Sequence, residues 1–234
     1  MRRQAQRDET VLRLSLDAKA TVRIGDFSRG GQSRIQVQAA DHDFQPSDKV
    51  TPYGIFLPDH DKLYLYFTRS CVTSDFIVDC LADCWRQIQQ DFPQVRTLLI
   101  HQDNGPENHS RRTQFMRRMV DFADAFRLNI SLAYYPPYHS KYNPIERVWG
   151  ILEQHWNGAL LDSLDTVLNF AKSMTWQQTS PSVTLVHRLY ETGVRLSQSA
   201  MRQLEQRLHR LKRLGKYFIQ IQHQPYPDFG SLSL

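Results

Sequence analysis

Three acids stand out by their surroundings. Asp17 ends the alternating stretch "VLRLSLD", Asp103 precedes "NGPEN", and Glu146 follows "YHSKYNPI". Carboxylates brought together repel one another unless a cation neutralises them. A few hard oxygen donors with open positions suit Mg²⁺ or Mn²⁺. Two such ions about 3.5–4 Å apart can clamp the attacking and leaving oxygens of a phosphodiester. In that scheme Asp17 bridges both ions, Asp103 and Glu146 each flank one, and no side chain is a nucleophile. Taken singly, each acid has a plainer reading. An Asp beside Asn-Gly forms turns, and a Glu in a first helical turn complements the helix dipole. Their order along the chain is what singles them out.

The elements must bring these acids together. Leu12, Leu14 and Leu16 alternate with Arg13, Ser15 and Asp17, which predicts a strand over residues 11–17 with one apolar face. Residues 20–27 predict a second strand, in a hairpin with the first. Residues 28–34 are glycine-rich and basic and read as a loop. Residues 35–60, with three prolines, read as an irregular excursion. A third strand is predicted over 62–68, then a helix over 74–92 that Ser74 caps and Pro93 ends. A strand over 95–103, a helix over 111–126 and a strand over 128–136 follow. The next helix runs from about Pro144 to His155, because proline suits a first turn where its missing N–H would be unpaired anyway.

This order predicts a mixed α/β fold, an antiparallel meander followed by crossover units. Its five-stranded mixed sheet, flanked by helices, occupies residues 11–156 with an insertion at about 28–61. Residues 1–10 read as a flexible N-terminus and 157–234 as a helical C-terminal extension. The extension includes a helix over 196–214 with Leu204, Leu208 and Leu211. Strands one and four side by side would join Asp17 to Asp103 at strand ends, where open α/β sheets form sites.

Composition narrows the class. Apolar residues make up 41% of the chain, enough for a packed core rather than disorder. The net charge of +5 tilts towards an anionic partner such as nucleic acid. No apolar run reaches the roughly 18–20 residues of a membrane span, and no apolar stretch follows the basic N-terminus as in a secretory signal. Cys80 and Cys84, four apart on a helix, read as buried reduced thiols and fit a reducing cytoplasm. The "DHD" at 41–43, with His60, reads as loop, since three adjacent side chains do not converge on one ion without a special turn.

The stretches "HQDNGPEN" and "YYPPYHSKYNPIERVWG" are similar to the second- and third-acid motifs of mariner-like insertion-sequence transposases. Together, "DNGPENHSRRTQFM", "YYPPYHSKYNPIE" and "HWNGALLDSLDT" resemble the DDE transposases of the ISAzo-thirteen insertion-sequence family. "DAKATVRIGDFSRGG" is similar to that family's first-acid region. The resemblance spans roughly residues 11–220. It implies a ribonuclease H-like catalytic domain with Asp17, Asp103 and Glu146 as the catalytic, metal-binding triad for two Mg²⁺ or Mn²⁺ ions. It also implies cleavage and strand transfer on DNA, at element ends and target. A homodimer or higher oligomer on that DNA, in the bacterial cytoplasm or nucleoid, completes the expectation. Asp26 is the rival for the first acid, disfavoured because it would fall at the far end of the second strand. Between Asp103 and Glu146 lie 42 residues, a longer gap than in mariner relatives, so the match there is by motif.

His139 and Lys141, just before Glu146, are expected on the DNA backbone near the scissile phosphate, a contact that positions DNA without reading sequence. Arg111 and Arg112 are further phosphate-contact candidates. Asn104 and Asn143 are expected to shape the turn and the helix entry. Tyr134, Tyr135 and Tyr138 either stack on splayed bases or pack in the core; Trp149 either walls the site or faces the core. Only sixteen residues precede Asp17, too few for the helix-turn-helix domain that such transposases carry ahead of it. The expectation is a truncated or frame-disrupted copy. The competing readings are an inactive DNA-binding relic and a ribonuclease H-like nuclease that does not join strands.

Overall fold

Alternation makes the first strand. Leu12, Leu14 and Leu16 are buried on one face of β1 (Val11–Ala18), and Ser15 and Asp17 occupy the other. The computed structural model describes residues 8–25 and 48–224; Asp26, the 28–34 loop and the 41–43 stretch lie outside the described residues. The expected hairpin between the first two strands is not formed. β2 (Val22–Ile24) pairs antiparallel with β3 (Asp48–Leu57) instead, and β3 is the antiparallel neighbour of β1. The 28–61 insertion is therefore corrected: its last third is a ten-residue strand at the centre of the sheet. Pro52, Gly54 and Pro58 disguised it, because proline and glycine ordinarily argue against a central strand. Here Val50, Tyr53, Ile55, Phe56 and Leu57 are buried on both faces, and that burial outweighs the weak propensity.

β4 (Lys62–Thr68) pairs antiparallel with β3; β5 (Thr97–Gln102) lies parallel to β1 and β6 (Asn129–Tyr134) parallel to β5. These strands give the expected five-stranded mixed sheet in the order β4-β3-β1-β5-β6, with β3 in the place assigned to residues 20–27. The sheet extends further at both edges. β7 (Ser182–Val186) adds parallel to β4, β9 (Phe218–Ile221) adds antiparallel to β6, and β8 (Leu208–Arg210) pairs with β9. The extension after 157 is thus helical only in part. The helix expected over 196–214 is α5, Gln198–Glu205, and Leu208 already belongs to β8. Pairing with the otherwise open edge of β6 wins over helical continuation, since an unpaired edge leaves backbone groups without partners.

Helices cover both faces. α1 (Ser74–Ile88) and α2 (Thr113–Phe126) pack on Leu12, Leu14, Leu16, Leu98 and Ile100. α3 (Ile145–Trp156) and α4 (Leu164–Ser173) pack on Phe56, Leu63, Leu65 and Phe67. Each fully buried Leu or Phe contributes roughly 1.5–3 kcal/mol. A one-residue slip would move every side chain to the wrong face, so the two-sided core fixes the register. The cap of α1 is Thr73 rather than Ser74: Phe76 N–H donates to Thr73 Oγ1 at 3.2 Å. Cys80 and Cys84 are buried free thiols, and burial pushes both pKa values up. Among the described residues no helix is long and apolar enough to cross a membrane.

Candidate active site

The register of the parallel pair β1 and β5 sets Ser15 opposite His101. Continued two residues, it brings Asp17 beside Asp103 at the C-terminal ends of the two strands, on one face of the sheet. Glu146 reaches the same place from the first turn of α3. That helix is pinned to β1 just ahead of Glu146. Buried Asn143 accepts Ser15 Oγ–H at 2.5 Å and donates Nδ2–H to Leu16 O at 3.0 Å; Ile145 N–H donates to Ser15 Oγ at 3.1 Å. Sequence reading gave Asn143 the helix entry; the Ser15 half of the clamp carried no signal, since Ser15 reads as an ordinary polar-face residue.

A second determinant is Gly54, opposite Asp17 on β3. A Cβ there would stand 2.5 Å from Ile145 Cδ1 and 2.8 Å from Trp149 Cη2. The missing side chain is what lets α3 approach the sheet. Trp149 satisfies both of its expected readings: it is buried in the core, and its Nε1–H donates to Asp17 Oδ2 at 2.9 Å.

The three acids share one electrostatic environment. Burial first, then the charge of Asp103 and more weakly that of Glu146, pushes the Asp17 carboxyl up to about 7, against the Trp149 and Ala18 N–H bonds that lower it. Burial and Asp103 also raise Glu146, while Lys19 opposes the rise. Lys19 is itself paired with Glu153 at 2.6 Å. Among the described residues no three His, Cys, Asp or Glu side chains are drawn close enough to cage a metal ion. The donor set nevertheless fits one kind of ion: three carboxylates, with no thiol or imidazole among them, suit Mg²⁺ or Mn²⁺. Burial first and the neighbouring Asp103 charge second raise the proton affinity of both Asp17 and Glu146, which a bound cation would offset.

The loop after Asp103 is braced from within. Asn108 Nδ2 donates to Asp103 O and to Gln102 Oε1, and Ser110 N–H donates to Asn104 Oδ1. Glu107 accepts both Nε–H and Nη2–H of Arg112, at 3.2 and 3.0 Å, and lies 3.3 Å from Ser74 N. Arg112 is thus engaged inside the protein and braces this loop, whereas Arg111 is exposed and forms no ion pair among the described residues. His139 and Lys141 are both exposed in the loop leading to α3. The His139 ring stacks on Tyr142, and Lys141 Nζ lies 5.4 Å from the centre of the Tyr142 ring. The tyrosines divide. Tyr134 is core, its hydroxyl donating to Asn108 O; Tyr135 is half-buried beside His101; Tyr138 is 96% exposed.

Asn143→Ala is expected to lower stability by about 2–3 kcal/mol, because it strips partners from two buried groups. Whatever reaction Glu146 supports should fall with it. Urea denaturation measures the first effect; an unchanged midpoint would show that the clamp does not hold α3.

The family model described as "Rhodopirellula transposase DDE domain" matches residues 1–223. Among solved structures, the Mos1 transposase paired-end complex with left transposon end is similar with a TM-score of 0.50 and 14% identity, covering 72% of this chain and 49% of that one. The Mos1 mariner paired-end complex with Mn gives 0.49 and 13%, with the same coverage. The chain therefore spans about half the length of these structures, and the first of them shows a shared ribonuclease H-like fold. No curated protein matches the sequence significantly. With the family model matched along residues 1–223, the chain belongs to the Rhodopirellula-type family of transposase DDE domains.

Proposed function

We propose that this transposase domain cleaves DNA strands at element ends and joins the freed 3′-hydroxyl to target DNA. Asp17, Asp103 and Glu146 are its catalytic and metal-holding residues. The observation that carries this reading is that three acids distant in sequence meet at one end of the sheet, Asp17 and Asp103 through the β1–β5 register and Glu146 through the clamp of α3 to β1. When bound, two Mg²⁺ or Mn²⁺ ions would neutralise the cluster and stabilise charge on the oxygens of the scissile phosphate. The chain's own residues do the rest. Trp149 Nε1–H holds one Asp17 oxygen in a fixed direction, and the Ser15–Asn143 clamp sets the height of Glu146 above the strands. His139, Lys141 and Arg111 contact backbone phosphates, and Arg112 braces the Asp103 loop. The partners are element-end and target DNA, held by two or more copies of the chain.

The test supplies duplex DNA with a free 3′ end and a supercoiled plasmid, with Mn²⁺ or with EDTA. Nicking and joined product with Mn²⁺ alone support the reading. Asp103→Asn should lower both by at least roughly 10²–10³-fold while leaving the melting curve cooperative. Unchanged activity in that variant removes Asp103 from the chemistry; nicking without joined product leaves a nuclease.

A further inference from the structure

Past Glu205 the chain returns to the catalytic end of the sheet with a basic turn. β8 and β9 form a hairpin whose connection, residues 211–217, carries Lys212, Arg213 and Lys216. Phe218 of β9 lies opposite Ala133 of β6, so this turn sits at the C-terminal end of β6, the end where β5 delivers Asp103. Hydrogen bonds tie it there. Tyr134 N–H donates to Tyr217 O at 2.8 Å, Arg210 Nη1–H to Ser110 O at 2.9 Å, and Asn104 Nδ2–H more weakly to Lys216 O at 3.5 Å. Arg111 and Lys216 both border a hollow of about 290 Å³ between the turn and the Asp103 loop.

The charges of this turn meet no acid among the described residues, although Lys216 Nζ lies 5.7 Å from the centre of the Tyr217 ring. Lys212, Arg213 and Lys216 are exposed, and none forms an ion pair among the described residues, whereas Arg210 beside them is paired with Glu205. Arg213 holds φ at 67°, a left-handed conformation uncommon for a long side chain. Arg111 and Lys216 line the hollow, Lys212 and Arg213 lie in the same turn, and the acid of the hollow, Glu205, is already taken by Arg210. Such a basic rim is the electrostatic footprint of a polyanion.

We propose that residues 211–217 are a second phosphate-gripping wall for duplex DNA beside Asp103. Lys212, Arg213 and Lys216 bind backbone phosphates, with Arg111 across the hollow. The assignment rests on the reading of this domain as one that acts on DNA. It adds grip and position, not sequence recognition, because phosphate contacts carry no base information. In the sheet the wall lies beyond β6, on the other side of β5 and Asp103 from β1, where α3 is clamped.

The experiment uses the full chain in EDTA, so that binding is read without cleavage, and a fluorescein-labelled duplex of random sequence. Anisotropy is followed across a salt series. Removing Lys212, Arg213 and Lys216 together to Ala should weaken binding at least about tenfold and flatten the log K against log salt slope by about 2–3. The same charge removed at the far end of the sheet, Lys62→Ala with Arg86→Ala and Arg96→Ala, should cost clearly less. Lys212→Arg with Lys216→Arg should retain wild-type affinity, which separates lost charge from a disturbed turn. A wild-type slope in the hairpin variant, or equal weakening by the two triple variants, overturns the proposal. A chain that grips DNA through the hairpin yet never cuts it would sink the catalytic reading and leave this one standing.

Discussion

Asp17→Asn is expected to abolish strand cleavage and, in the absence of metal at pH 8, to make the protein more stable. Both effects follow from one carboxyl. In the fold, Asp17 is pushed up to about 7 by burial and by the charges of Asp103 and Glu146; in the unfolded chain it titrates at about 3.9. The folded state therefore binds the extra proton between these values. Stability falls as pH rises through that window, and the whole penalty is present above about pH 7. Its size is on the order of 2–4 kcal/mol. An amide at the same position accepts the Trp149 N–H as the acid does, carries no charge, and removes the penalty. For a chain of this length the melting temperature should rise by roughly 5–10 °C at pH 8, with little change near pH 4. Divalent ions should act on the wild type in the same direction, since they bind the ionised cluster in competition with protons. Mn²⁺ should thus raise the wild-type melting point more at pH 8 than at pH 6, and leave Asp17→Asn nearly unmoved. Differential scanning fluorimetry over pH, with and without Mn²⁺, reads all of this. A destabilised Asp17→Asn at pH 8 would mean that the acids do not oppose one another.

How much of this was legible in the sequence depends on the kind of signal. β1 could be read because its alternation is strict and one face is wholly apolar. β5, β6 and the three long helices could be read because turn residues bound each of them. β3 could not, because Pro52 and Gly54 break the local pattern while burial on both faces, a property of the finished sheet, restores it. The edge strands β7, β8 and β9 were hidden for a related reason: at five, three and four residues they are too short to show a pattern, and they become strands because an edge is there to pair with. At the site, the positions of the acids followed from strand ends, and Asn143 from its place before a helix. The Ser15 clamp, the engagement of Arg112 by Glu107 and the basic turn at 211–217 are long-range facts. Nothing nearby in the chain encodes them.

Gly54→Val is expected to damage the protein although strand propensity alone says the opposite. Valine is favoured over glycine in a strand by up to about 1 kcal/mol, and on that ground the variant should gain. Space decides otherwise. Even a bare Cβ at this position would meet Ile145 Cδ1 at 2.5 Å and the Trp149 ring at 2.8 and 3.0 Å. Ile145 Cδ1 is the end of a flexible side chain and can move; the indole is buried and bonded to Asp17. Valine adds two methyl groups to that contact, so α3 must lift or the ring must turn. Overpacking of this sort costs roughly 1–3 kcal/mol. The functional loss should be larger, because the same movement shifts Glu146 and detaches Trp149 from Asp17: a misplacement near 1 Å in a catalytic array is worth roughly 10²-fold. Gly54→Ala should show a smaller version of both effects. Combined with Ile145→Val, which deletes the atom at 2.5 Å, Gly54→Ala should recover part of its stability but less of its activity, since the indole contact persists. Melting temperature and Mn²⁺-dependent nicking measured on these variants separate the two contributions. Wild-type nicking by Gly54→Val would show that α3 does not need this approach to β3, and that Glu146 is set by something other than the height of its helix above the sheet.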